Sequence, residues 1–276
     1  MADLAKISFQ AHIKFSNASD NTAKYILCWR CSFARHKSKL SSDESVMTVK
    51  AVVFDLDGTI VNFNLDYKSA RAEVIEFLNN HGFPQSIFSI NESVFEMLKK
   101  AEIYMQNHHI SNKDYSNLKK DVLAIMERYE MQGARSTQVL PGALETLQTL
   151  KKMKIKLGLF TVNNKKSTEH VLSTFRLKHF FQSVVTRDSV PLVKPNPIHL
   201  ETVLKSLKVK PDETMVVGDS ALDMKSAKEL SVFAVGASTG FATPEELTRA
   251  GANCLISSPI DLISLVEKLN QKPEQR

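Results

Sequence analysis

Phe54-Asp55-Leu56-Asp57-Gly58-Thr59 places two carboxylates two residues apart, directly after the short apolar run Ala51-Val52-Val53-Phe54. Such a run is the mark of a buried parallel strand, whose end delivers side chains to a cleft. Gly58 allows the chain to turn there without steric cost, so both carboxylates can face the same space. Two carboxylates that close repel unless a cation shares them, and a hard divalent metal is the natural occupant. An ionised Asp can attack phosphorus while a partner carboxyl protonates the leaving oxygen and later activates water. The division of labour expected is Asp55 as nucleophile and Asp57 as acid and base. The competing reading is an ordinary Asp-Gly turn with a helix cap.

Three further patterns fall at the ends of apolar runs. Leu159-Phe160-Thr161-Val162-Asn163-Asn164 precedes a helical pattern with Val171, Leu172 and Phe175 on one face. A hydroxyl with free N–H groups at a helix start makes an anion site, although Thr and Asn there are also plain caps. In Lys194-Pro195-Asn196-Pro197 the prolines stiffen the loop and fix the direction of Lys194, whose charge would screen the repulsion between a phosphate dianion and an attacking carboxylate. Val216-Val217-Gly218-Asp219 ends another strand, and Asp223 follows one helical turn later, on the same side. With Asp55, these two offer the oxygen ligands that Mg²⁺ prefers, Asp219 being the more direct.

The elements that must position these residues follow from periodicity. Apolar runs recur at Ile155–Phe160, Val184–Val185, Met215–Val217, Val232–Val235 and Cys254–Ile256. Helical patterns lie between them, with Leu144, Leu147 and Leu150 on one face and Leu200, Val203, Leu204 and Leu207 on another. The alternation predicts an α/β fold with a doubly wound, mostly parallel, Rossmann-like sheet, whose sites lie beyond the carboxyl ends of its strands. Residues 65–138 break the rhythm: they hold no strand pattern and at least three amphipathic stripes. Tyr67, Ala70, Val74 and Phe77 make the first, stopped at Gly82. The second carries Val94, Met97, Leu98, Ala101 and Met105 and is expected to open at a capping box in Ser89-Ile90-Asn91-Glu92. Leu118, Val122, Ile125 and Tyr129 make the third. This predicts a helical cap inserted into a core formed by residues 47–64 and 139–271.

Composition narrows the classes. The chain has 276 residues, 43% hydrophobic and 24% charged, as a globular protein does. No apolar run approaches the roughly 20 residues of a membrane-spanning helix, so no membrane role is expected. The net charge of +6 owes half its value to residues 1–46, where seven basic side chains face four acidic ones. No basic stripe interleaves with aromatics, which argues against nucleic acid. Three cysteines make no disulfide framework and suit a reducing compartment, and Cys28-Trp-Arg-Cys31 lacks the second pair that a zinc site needs. Residues 1–46 are polar and Ser-rich. They read as upstream sequence ahead of a start at Met47, as a disordered tail, or as a transit peptide, so the expected location is cytoplasmic or, in the last case, an organelle.

In this order the four motifs resemble those of the haloacid dehalogenase-like superfamily, and most closely its phosphoglycolate-phosphatase-like branch, over about residues 49–269. The resemblance implies a Mg²⁺-dependent phosphoric monoester hydrolase working through an aspartyl-phosphate. It makes Asp55 nucleophile and metal ligand, and Asp57 an acid and base that lends its main-chain carbonyl to the metal. It assigns phosphate binding to Thr161 and the Val162 amide, charge neutralisation to Lys194, and completion of the metal site to Asp219 with Asp223. Asp57 disfavours dehalogenation, which needs no leaving-group proton. Ile60-Val61-Asn62 and Ile198 depart from the usual pattern and blur the cues to substrate without touching a chemical role. The expected partner is a small phosphorylated metabolite, on a monomer or homodimer. A phosphosugar mutase of the β-phosphoglucomutase kind and a non-catalytic binding protein on the same fold are the alternatives.

Overall fold

The structure is a computed structural model that describes residues 27–28, 47–62 and 64–271. Expectations for the rest of 1–46, and for Cys31, lie outside the described residues. Its centre is a seven-stranded sheet. The strands are β1 (Leu27–Cys28), β2 (Ala51–Phe54), β3 (Lys156–Phe160), β4 (Ser183–Val185), β5 (Thr214–Gly218), β6 (Phe233–Ala237) and β7 (Cys254–Ile256), in the order β1-β7-β6-β5-β2-β3-β4. All pairings are parallel except that of β1 with β7. The six apolar runs read from the sequence are the six parallel strands. They are legible because a strand covered on both faces must be apolar at nearly every position.

Side chains along β2 alternate between two cores. Val52 and Phe54 join α4 (Ala143–Lys152), α5 (Lys165–Thr174) and α9 (Asp261–Asn270) on one face of the sheet. Ala51 and Val53 join α6 (Pro197–Leu207), α7 (Ala221–Glu229) and α8 (Pro244–Ala250) on the other. Helices on both faces make the sheet doubly wound, as expected. One predicted position is misplaced: Leu147 and Leu150 are buried as expected, but Leu144 is 44% exposed, and Ala143 and Thr146 complete the inner face of α4.

Between β2 and α4 the chain forms three α-helices, α1 (Tyr67–Asn80), α2 (Val94–Asn107) and α3 (Asn112–Ser136), which share a separate apolar core. This is the inserted helical cap. Its second helix buries the five predicted residues, but it does not open at Ser89-Glu92. Glu92 closes a turn by accepting from the Ser89 N–H (2.9 Å) and pairs with Lys100 (2.5 Å), and the reciprocal capping box is Ser93 with Glu96, immediately before Val94. In α1 and α3 the true stripes run through Leu78 and Met126, and Phe77, Ile125 and Tyr129 stand half-buried beside them. The two chain segments joining cap to core run side by side. The Asn62 N–H donates to the Gln138 carbonyl (2.8 Å), the Thr137 hydroxyl to the Asn62 carbonyl (2.8 Å) and the Asn64 amide to the Ser136 carbonyl (2.9 Å).

Candidate active site

β2, β3 and β5 are neighbours at the middle of the sheet, so the residues that follow them emerge side by side. Asp55, Thr161 and Asp219 are those residues, and the loop before α6 brings Lys194 to meet them. Lys194 Nζ donates to Asp55 Oδ1 (2.5 Å) and to Asp223 Oδ1 (2.6 Å), and all three side chains are buried. The ammonium also lies over the Phe160 ring, 4.1 Å from its centroid, a favourable place for a desolvated cation. Asp55, Asp219 and Asp223 each present a carboxylate oxygen within 4.8 Å of the others.

The two carboxylates from β5 and α7 are held differently. Asp223 is spent on structure: its Oδ2 accepts from the Ser220 hydroxyl (2.6 Å) and N–H (3.1 Å) as the capping box of α7. Asp219 Oδ2 accepts the Phe241 N–H (2.7 Å), from the loop after β6. Two glycines make room for Asp219. A Cβ on Gly240 would stand 1.9 Å from its Oδ2, and one on Gly58, where φ is +75°, would stand 2.3 Å away. Gly240→Ala should therefore displace Asp219 while leaving an exposed loop otherwise intact. The expected result is a catalytic rate reduced by at least about a hundredfold with little change in melting temperature, read by steady-state kinetics beside a thermal melt.

Asp57 stands apart from the cluster, and its carboxylate accepts from the Asn163 side-chain amide (2.5 Å). Burial first, and then the charge of Asp55, push its pKa up to about 7. Burial likewise raises the Asp55 and Asp219 carboxyls, each aided by its acidic neighbours. For Lys194, burial works to lower the pKa, but Asp223 and Asp55 outweigh it and hold the ammonium charged. Three buried carboxylates against one ammonium leave excess negative charge, and hard oxygen donors at that spacing fit a divalent ion such as Mg²⁺.

Sequence reasoning gave no role to several residues that hold this arrangement. Asn163 positions Asp57, and its own N–H donates to the Thr161 hydroxyl (3.2 Å). Glu130, on the cap helix α3, accepts from the Asn164 N–H (3.0 Å) and pairs with Arg187 in a buried ion pair, while Arg187 also reaches the Val162 carbonyl (3.4 Å). The cap is thereby bonded to the loop that carries Thr161 and Val162. His199 holds the Lys194 loop: its Nδ1 accepts the Lys194 main-chain N–H (3.3 Å) and its Nε2 faces the Val185 carbonyl (3.2 Å). Burial, aided by the Lys194 charge, lowers the His199 pKa to about 4. Its unfolded value is near 6.5, so between those limits the unfolded chain binds more protons and stability falls as pH drops. The expected loss from pH 6.5 to 4 is on the order of 3 kcal/mol, read as a steeper acid limb in denaturant melts of the native chain than in His199→Gln.

Asp55 and Asp219 open into a cavity of about 520 Å³ between core and cap, which Asp57, Thr161, Val162, Asn163 and Lys194 also line. Among the described basic residues of the cap, which include Lys68, Arg128 and Arg135, only Arg71 lines it. Arg128 pairs instead with Glu73.

A parallel sheet that brings acids, a lysine and a threonine together beneath an inserted helical cap is the architecture of one class of hydrolase. Residues 52–237 match the family described as haloacid dehalogenase-like hydrolase. A phosphoglycolate phosphatase of Pseudomonas syringae is 31% identical over 196 residues, 70% of this chain and 70% of that one. Pyrophosphatase PpaX of Bacillus mycoides is 27% identical over 227 residues, 81% of this chain and 100% of that one. Among solved structures, a hydrolase from Pseudomonas syringae superimposes with a TM-score of 0.60 at 24% identity, over 80% of this chain and 100% of that one, and so shares the fold. The chain belongs to the haloacid dehalogenase-like hydrolase family. Within that family it is a phosphatase, a phosphoric monoester hydrolase.

Proposed function

We propose that the protein hydrolyses a small phosphorylated metabolite, with Mg²⁺ as cofactor, through an aspartyl-phosphate on Asp55. The observation that carries this reading is the meeting of Asp55, Asp219, Asp223 and Lys194 in one buried cluster at the floor of a cleft. In this reading residues 47–64 and 139–271 form the catalytic core, and residues 65–138 the cap that admits the substrate. Asp55 Oδ attacks phosphorus, and the bond from phosphorus to the ester oxygen breaks. Asp57, whose pKa burial pushes up to about 7, gives its proton to that oxygen. The same carboxylate, now ionised, takes a proton from water as the water attacks the aspartyl-phosphate, and phosphate leaves with Asp55 restored. Thr161 and the main chain at Val162 hold the phosphoryl oxygens, and Lys194 offsets their charge against Asp55. Asp55 and Asp219 would hold the ion, with the Asp57 main-chain carbonyl, while Asp223 orients Lys194 beside it. Bound there, Mg²⁺ supplies the positive charge that lets two anions approach.

The test is phosphate release from a panel of phosphorylated metabolites, starting with phosphoglycolate and diphosphate, which the relatives' names suggest. Release that needs Mg²⁺ and stops with EDTA supports the reading. No release from any compound with Mg²⁺ present overturns it, as does isomerisation of a hexose phosphate in place of release, the result expected of a mutase.

A further inference from the structure

The cavity is larger and less polar than phosphoglycolate or diphosphate requires. At the roughly 30 Å³ that a water occupies in the liquid, 520 Å³ holds about 17 waters, and each of those two compounds has nine non-hydrogen atoms. The volume falls in the range that encloses a drug-sized molecule. Its wall is mostly apolar. Val94, Phe95 and Met126 come from the cap, Leu222 and Phe241 from the core, and Tyr67 meets Phe241 edge to face across the cleft, with ring centroids 5.1 Å apart. Phe241 is 55% exposed although its own N–H binds Asp219. A large apolar ring left open beside the carboxylate cluster is a surface for something to cover.

Charged side chains line other parts of the same cavity. Arg71 lies over the Tyr67 ring, 4.7 Å from its centroid, and donates to the Ile90 carbonyl (3.1 Å). Lys225 and Arg249 reach the cavity from the exposed surface, where Glu96 and Glu246 also line it. Lys194, the buried cation, is held by Asp55 and Asp223. The cleft thus offers a deep polar end, an apolar flank and an exposed charged rim.

We infer that the preferred substrate is a phosphate monoester of an alcohol with an apolar, ring-bearing body, which packs between Phe95 and Met126 of the cap and Phe241 of the core. This deepens the phosphatase reading and rests on it. Burying a ring there adds transition-state binding wherever the leaving alcohol is held as it departs. The test uses two esters of primary alcohols with similar leaving oxygens, 2-phenylethyl phosphate and ethyl phosphate, beside phosphoglycolate and diphosphate, all with Mg²⁺ and the full chain. The expected result is a kcat/KM for the phenylethyl ester at least tenfold above each of the others, with its ratio to ethyl phosphate falling at least fivefold in Phe95→Ala. Equal or faster turnover of ethyl phosphate, phosphoglycolate or diphosphate overturns the inference and leaves the phosphatase reading standing. Absence of turnover on all four removes both.

Discussion

Asp55→Asn should reduce phosphate release by a factor on the order of 10⁴ or more, the scale on which removing a nucleophile acts. The substitution keeps the shape of the side chain and removes only its charge and its nucleophilic oxygen. Stability should not fall with activity. Burial and the neighbouring Asp223 make the ionised form of Asp55 unfavourable where it sits, so a neutral amide relieves part of the repulsion in the cluster. The opposing loss is the bond from Lys194, which keeps Asp223 as its partner. A melt within a few degrees of the native chain, with activity gone, fits a chemical role. A melt that drops steeply with activity would instead mark Asp55 as part of the scaffold.

Lys194→Met is the second large effect, and it acts on both activity and stability. The methionine stem fills much of the same volume against Phe160 but leaves Asp55 and Asp223 without their shared cation. Removing one partner of a buried ion pair costs about 3–5 kcal/mol, because the remaining charges stay buried and unmatched. Loss of charge opposite the incoming phosphate should lower kcat/KM by about 10²–10³. The two losses should separate with metal. Saturating Mg²⁺ offers the carboxylates another cation and should restore part of the melting temperature, and an excess of 100-fold over its Kd is worth about 2.7 kcal/mol. It should not restore the rate, since Lys194 sits where the ion does not. Equal recovery of rate and stability would assign Lys194 a structural role alone.

The sheet and its motifs were legible in the sequence because both rest on local rules. A parallel strand buried on two faces reads as an unbroken apolar run, and a polar residue directly after it must lie at the sheet's carboxyl edge. Asp55, Thr161 and Asp219 follow from that without knowledge of strand order. Helix faces were less certain. Ser89-Glu92 and Ser93-Glu96 both fit a capping box, and only packing decides that the second opens α2. Leu144 has the right spacing for the buried face of α4 and still lies outside, because Thr146 satisfies its hydroxyl on the Gly142 carbonyl (2.8 Å) and can take the inner position.

The supporting residues were hidden for another reason: their partners are distant in sequence. Glu130 and Arg187 are separated by 57 positions and Asn163 and Asp57 by 106. A trace of Glu130 was visible. It extends the stripe Leu118, Val122 and Met126 by one more helical turn, and a carboxylate in an apolar stripe must find a partner once buried. His199 shows the same pattern, one turn before Val203 on the buried face of α6. Gly240 carried no signal, since its need for a bare Cα arises only when Asp219 arrives against it from another strand.

The most direct measurement is capture of the covalent intermediate. Asp57→Asn removes the base of the second step, and an ester whose leaving group needs no proton spares the first, so 4-nitrophenyl phosphate mixed with this variant and Mg²⁺, then quenched in acid and reduced with borohydride, should leave homoserine at position 55, identified by peptide mass spectrometry. The account predicts that modification at position 55 alone, with none when EDTA replaces Mg²⁺. Modification at another residue, or an unmodified position 55 in a variant that still consumes the ester, would contradict it.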